Sequence, residues 1–290
     1  MRLLSVLALA CAAPVLAQAP LTTPLASPHA RVHQTVGLTD LAVDYHRPAV
    51  RDRRVWGDLV PYGEVWRAGA NENTVFETST DLRVEGQALP AGRYGLHTIP
   101  TDGAWTVIFS TQADAWGSYS YDPAEDALRV TVTPRPGPHT ERLAYRFDAP
   151  DDSTATLVLA WGELEVPVRL SVDTPGVVLA SMEQELRGLA GFYWQGWNGI
   201  ASYALDHGRR LDDALAWADR SRQMQATFAN TMTRARILDA LGRADEAATA
   251  RDEAYGLATA DEVRAYARER RRAGRPDEAE AALARIDEVP

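Results

Sequence analysis

The densest concentration of polar chemistry in this 290-residue chain is the run Trp66-Arg67-Ala68-Gly69-Ala70-Asn71-Glu72-Asn73-Thr74. An arginine presents a rigid fork of donors that matches a carboxylate or phosphate two bonds at a time, and Asn71, Glu72 and Asn73 add the donors and acceptors that orient a sugar or a peptide. In that reading Arg67, Asn71 and Asn73 bind a ligand. The alternative is a brace: Gly69 and Asn71 tolerate a positive φ, and Arg67 satisfies the loop by pairing with a nearby carboxylate. The brace is favoured, because buried polar loops commonly serve their own backbone.

Acid-base chemistry would have to come from the histidines: His29, His33, His46, His97, His139 and His207. The candidate catalytic groups are His46 and His97, both in strand-like segments, with Glu72 completing a proton-transfer pair with His46. None of the six belongs to a metal signature. His29 and His33 are four apart, but in a proline-flanked stretch rather than on a helix, so no metal is expected. A second cluster, Trp116-Gly117-Ser118-Tyr119-Ser120-Tyr121, sets flat rings beside hydroxyls as a saccharide site does, which makes Trp116 and Tyr119 ligand-binding candidates. The favoured alternative has Trp116 and Tyr121 plugging the open end of a sandwich. The chain carries no Gly-x-Ser-x-Gly elbow, glycine-rich phosphate loop or His-Glu-x-x-His pair, and no cofactor is expected. Its 30 basic residues are all arginine, so lysine Schiff-base chemistry has no residue to use. Forty acidic residues leave a formal charge of −10, which argues against nucleic acid or an anionic membrane as a partner.

These side chains need a frame. Leu41-Val43-Tyr45, Trp105-Val107-Phe109, Leu128-Val130-Val132, Leu143-Tyr145-Phe147, Leu157-Leu159-Trp161 and Val166-Val168-Leu170-Val172 alternate at period two, with Glu85-Gly86, Asp102-Gly103 and Trp161-Gly162 read as turns. No helix-length period interrupts them. Residues 31–173 are therefore expected to form an antiparallel β-sandwich or jelly-roll-like domain. After Thr174-Pro175-Gly176 the composition turns to alanine, arginine, glutamate and leucine, giving a linker and first helix over 174–188 and helical repeats over 189–290. The fold class is α+β multidomain. Gly208, Gly242 and Gly274 stand 34 and 32 residues apart, each followed by two acids and an alanine and preceded at seven residues by Ala201, Ala235 or Ala267. This resembles a tetratricopeptide array. Phe192-Tyr193-Trp194 and Trp197 predict a helix docked on the β domain or the first repeat.

The β half carries a longer motif string: Ser27-Pro28, Gln34-Thr35-Val36-Gly37, Tyr45-His46-Arg47-Pro48, Val55-Trp56-Gly57-Asp58-Leu59-Val60-Pro61-Tyr62-Gly63 and Val65-Trp66-Arg67-Ala68-Gly69-Ala70-Asn71-Glu72. It continues in Leu89-Pro90-Ala91-Gly92, Tyr94-Gly95-Leu96, Ile99-Pro100, Trp105-Thr106-Val107-Ile108-Phe109 and Trp116-Gly117. From about residue 27 to 172 this resembles the bacterial exported family called domain of unknown function 2911. The resemblance implies a β-rich exported domain often followed by helical repeats, and implies no substrate or catalytic residue.

Met1-Arg2 and the apolar run Leu3 to Leu16, closing on Val15-Leu16-Ala17, read as a cleaved export signal over residues 1–17, followed by a lead-in segment over 18–30. Cys11, the only cysteine, lies inside it; a lipid anchor there is the minor alternative to a periplasmic or extracellular protein. No later stretch approaches the roughly 20 apolar residues of a transmembrane span. The expected function is an exported, non-enzymatic binding or scaffold protein of the bacterial envelope, whose helical repeats present a groove to an envelope protein or peptide. The alternatives are an envelope glycan- or peptide-acting enzyme built on the Arg67 to Asn73 loop, and saccharide binding without turnover. Nothing in the pattern specifies an oligomeric state.

Overall fold

The computed structural model describes residues 23–148 and 151–289; the segment read as an export signal, with Cys11, lies outside the described residues. Two antiparallel sheets come first. The larger runs in the order β1 (His29–Val36), β2 (Thr39–His46), β3 (Val75–Thr78), β6 (Gly92–Ile99), β7 (Trp105–Ser110) and β8 (Asp126–Val132). The smaller runs β5 (Gln87–Leu89), β4 (Leu82–Val84), β10 (Thr154–Ser171) and β9 (Arg135–Asp148). The period-two alternation explains the packing. Leu41, Val43 and Tyr45 of β2, Trp105, Val107 and Phe109 of β7, and Leu157, Leu159 and Trp161 of β10 all enter one buried cluster. Trp56, Trp66, Trp105 and Trp161 meet at one end of it, with ring centroids 4.7 Å apart for Trp56 and Trp105 and 5.8 Å apart for the stacked pair Trp66 and Trp161.

Two strand expectations change. His29 and His33, read as part of an irregular lead-in and a domain start, lie on β1, which pairs with β2 along its whole length, His29 opposite His46. Trp161-Gly162 is not a turn: β10 continues through it, and Gly162, at φ +63°, marks a slip in the register against β9. The extra residues lie on β9, where Ala144, Thr140 and Pro136 face Ala160, Gly162 and Leu164, so the bulges bend β9 against an unbroken β10.

The described residues of the second half contain seven α-helices: α1 (Thr174–Glu185), α2 (Trp194–Asp206), α3 (Leu211–Met224), α4 (Phe228–Ala240), α5 (Ala244–Gly256), α6 (Ala260–Arg272) and α7 (Pro276–Ala284). The last six make three repeat-like hairpins, and the sequence markers acquire physical meaning. Gly208, Gly242 and Gly274 take positive φ in the hairpin turns, at +61°, +76° and +73°. The acid pairs that follow fall in the first turns of α3, α5 and α7, where they complement the helix dipole. Ala201, Ala235, Ala267, Ala214, Ala247 and Ala279 are all buried, as close helix approach requires. Thr227 and Thr259 close capping boxes at the starts of α4 and α6.

The tryptophan cluster gives a stability test. The indole N–H groups of Trp56 and Trp161 are buried without an acceptor. Trp161→Ala should cost about 3–5 kcal/mol, whereas Trp161→Phe, which keeps a ring and removes the unpaired N–H, should cost about 1.5 kcal/mol or less. Equal losses in denaturant melts would show that the N–H contributes a bond.

Candidate functional site

The Arg67 loop is hung from β6. Trp66 and Thr98 exchange both backbone hydrogen bonds, each 2.8 Å, while the Trp66 ring packs inward against Trp56 and Trp161. The next residue therefore leaves the core, and Ala68 turns back into it fully buried with φ at +50°. An L-residue holds that conformation only when its surroundings demand it. Here the Ala68 carbonyl accepts hydrogen bonds from Thr74 Oγ1 at 3.2 Å and from Tyr145 Oη at 2.8 Å. Asn71 is left-handed as expected, at φ +60°, but Gly69 is not; Gly69 is required because a Cβ would stand 2.5 Å from Thr74 Oγ1.

Within this loop the polar side chains have different employments. Asn71 donates to the Ser27 carbonyl at 3.3 Å, and Asn73, buried, donates from its side chain to the Gln112 carbonyl at 3.2 Å. Both stitch backbone. Glu72 lies with Oε2 3.4 Å from His46 Nδ1, so it is not the carboxylate that a bracing Arg67 needs. Arg67 is partly buried, its Nε is fully buried without a hydrogen-bond partner, and it forms no ion pair among the described residues. Every other described arginine that is at least partly buried has a hydrogen bond or an ion pair, Arg270 and Arg146 included. Among the described residues the structure supplies no partner charge for the favoured brace.

The other wall is the segment after β7, which folds over the outer face of the larger sheet. It is tied down at several points. Asn73 N–H donates to the Ala115 carbonyl at 3.1 Å, and Tyr121 Oη donates to Asp126 Oδ2 at 2.7 Å, with Arg129 bonded to both members of that pair. His97 of β6, only 2% exposed, has Nδ1 2.9 Å from Ser118 Oγ and its ring 5.3 Å from that of Tyr121. Burial pushes His97 down to about 4, with Asp126 acting in the opposite sense; Tyr121 is pushed up to about 12 by burial and its bond to Asp126. Gly117, at φ +70°, lets the Arg67 guanidinium lie directly on the backbone, since a Cβ there would be 2.1 Å from Nη1. The Tyr119 ring faces the guanidinium at 6.0 Å.

Between the two walls is a concavity of about 240 Å³ lined by Leu59, Pro61, Glu64, Arg67, Ser118 and Tyr119, among others. Trp116, at 61% exposure, and Tyr119, at 85%, point to solvent, so Trp116 does not plug the sandwich, and Tyr121 lies on the outer sheet face rather than at an open end. Leu59, Glu64, Gly117 and Ser118 escaped sequence reading as site residues. The available signal was Glu64 three residues before Arg67 and a glycine beside an aromatic pair.

His46 and His97 both lie on the outer face of the larger sheet, but the ladder puts β3 between their strands, a separation of roughly 10 Å. Neither they nor Glu72 line the concavity. Burial lowers the pKa of His46 while Glu72 raises it, and the His29 ring meets His46 edge-on at 5.4 Å. The remaining histidines have local partners: His29 with Asp44, His33 with Asp40, His139 with Glu141 and His207 with the Tyr203 carbonyl. No group of three metal-type ligands exists among the described residues. In the helical half Phe192, 76% exposed, and Tyr193 face solvent, while α2, which carries Trp194 and Trp197, packs on α3 of the first hairpin: Ser221 Oγ donates to the Trp194 carbonyl at 2.8 Å, and Trp197 donates to the Gly191 carbonyl at 3.0 Å. A larger concavity, about 740 Å³, is lined by residues of α4, α5 and α7 with Leu205 and Tyr266. Its arginines are paired, Arg236 with Asp206, Arg251 with Asp239 and Arg275 with Glu278.

Residues 27–170 match the family model described as protein of unknown function (DUF2911). No curated protein and no solved structure matches the chain.

The buried His97 makes stability depend on pH. Unfolded, it takes up a proton near 6.5; folded, it resists until about 4. Its stabilising contribution is therefore whole above pH 6.5 and declines as pH falls toward 4, by roughly 3 kcal/mol at most. His97→Phe should flatten the unfolding free energy across that window relative to the parent. An unchanged slope would place the titration elsewhere.

Proposed function

Taking residues 27–170 as a domain of the DUF2911 family, we propose that this is an exported binding protein without turnover, in which the β domain holds a small anionic ligand at Arg67 and the helical hairpins present a surface to an envelope protein or peptide. The apolar N-terminal run supports export. One observation carries the ligand site: a partly buried guanidinium with an orphaned Nε, seated between two pinned walls at the edge of an open concavity. The buried Nε is closed to solvent, but the two Nη nitrogens keep solvent access and have no hydrogen bond or ion pair among the described residues, which leaves them free to take the oxygens of a bound anion. Walls fixed in advance also spare the ligand the entropy of ordering them.

Turnover is not part of the reading, because His46 with Glu72 stands elsewhere on the sheet and His97 is buried behind Ser118, with its ring closed to the concavity. The helical surface rests on the mixed-charge concavity along α4, α5 and α7, whose two tyrosines, Tyr255 and Tyr266, and paired arginines suit a polypeptide segment better than a charged small molecule. The tetratricopeptide likeness of the three hairpins adds to it.

The test is Arg67→Gln, by thermal or denaturant melts with and without carboxylates and phosphate. The variant should unfold within about 1 kcal/mol of the parent, since no ion pair is lost. A ligand at a hundred times its Kd should stabilise the parent by about 2.7 kcal/mol and the variant hardly at all. A loss of about 3–5 kcal/mol in the ligand-free variant would restore the bracing role.

A further inference from the structure

The concavity holds more than a cation. Leu59, Val60 and Pro61 make one flank apolar, Tyr119 offers a ring that is 85% exposed, and Glu64 places a carboxylate in the same space without pairing to Arg67. The ring is costly to leave in water and is not free to fold away, because Ser118 beside it is held by His97 and Gly117 is pressed against Arg67. An occupant must therefore supply four things: an anionic group for Arg67, a flat apolar face for Tyr119, a donor for Glu64, and a volume near one ring, since about 240 Å³ falls below the roughly 300–1,000 Å³ of ordinary drug-sized sites.

We propose that this site takes an acidic saccharide unit, a hexuronate in its ring form, with the carboxylate on Arg67, the C–H face on Tyr119 and a hydroxyl donated to Glu64. The proposal rests on the reading of Arg67 as a ligand-binding residue and adds the class of ligand. A free phosphate meets the first requirement alone, leaves the aromatic and apolar flanks uncovered, and as a dianion is repelled by Glu64 more than a carboxylate is. A simple carboxylate such as acetate lacks the face and the hydroxyls. A neutral hexose has both and leaves Arg67 without its anion. The bidentate fork of arginine and the planarity of tyrosine are each matched by one part of a uronate.

Calorimetric or NMR titration of the full chain with methyl glucuronide, methyl galacturonide, methyl glucoside, acetate and inorganic phosphate tests this. At least one uronide should bind tenfold or more tightly than glucoside, acetate and phosphate alike. Arg67→Gln and Tyr119→Ala should each weaken the uronide tenfold or more; the exposed Tyr119 can be truncated without touching the core, so a folding failure does not confuse the result. Glu64→Gln should weaken it less, because an amide oxygen still accepts. If acetate or phosphate binds as tightly as the uronides and Tyr119→Ala changes nothing, the saccharide class is wrong while Arg67 remains an anion site. If glucoside binds as tightly and Arg67→Gln is neutral, the acidic class is wrong. If none of the five binds, this inference and the Arg67 reading fall together.

Discussion

Two neighbouring residues of one strand hold both walls of the site. Thr98 bonds through its backbone to Trp66 and so fixes where Arg67 leaves the core, while His97, one residue earlier and facing the opposite side of the sheet, holds Ser118. The Thr98 bonds run through the backbone in the plane of the sheet and the His97 side chain stands on its outer face, so a single strand fastens a loop rooted in the tryptophan cluster and a loop lying on the outer face. Both walls inherit the rigidity of a central strand paired on each side by β3 and β7. The spacing between guanidinium and tyrosine ring is thereby set by the sheet and not by the loops themselves.

The rest of the protein shows how unusual Arg67 is. An acidic chain whose only cations are arginines can satisfy most of them with carboxylates, and it does: the Arg135 and Arg146 side chains converge on Glu165, and Arg210 bonds Glu183 and Asp213. Where carboxylates are absent, arginines take carbonyls, as Arg47 does from Leu143 and Arg53 from Ala49 and Val50. Arg67 has neither, although Glu64 and Glu72 stand three and five residues away in sequence. Glu72 is turned to His46, and Glu64 lies in the concavity beyond ion-pairing distance of the guanidinium. The backbone path through a buried, left-handed Ala68 leads from Arg67 toward Glu72, whose carboxylate it leaves beside His46.

Much of the frame was legible because it depends on period. Alternation located most strands, and the glycine spacing located the three hairpin turns. What escaped depends on registers and long-range contacts. A strand continuing through Gly162 looks like a turn until β9 is seen to bulge with it. Positive φ fell on Ala68, not on Gly69, because two side-chain donors distant in sequence, Thr74 and Tyr145, pull the Ala68 carbonyl inward. The aromatic cluster at Trp116 looked like a plug on composition, yet the pinning by His97 and Asp126 turns Trp116 and Tyr119 outward. For the site, sequence reading found Arg67 and Tyr119 in separate segments, and only the sheet shows that they face each other.

The most direct measurement is the set of NMR signals of the Arg67 Nη–H groups in the full chain, assigned by their loss in Arg67→Gln. In the free protein they should show no coupling to a carboxylate, and they should sharpen and move downfield when methyl glucuronide or methyl galacturonide is added, while the buried Nε–H stays at the upfield position of an N–H without an acceptor. A signal already downfield and coupled to a carboxylate in the free protein, unmoved by either sugar, would show that Arg67 is a satisfied internal residue and that its concavity is not a ligand site.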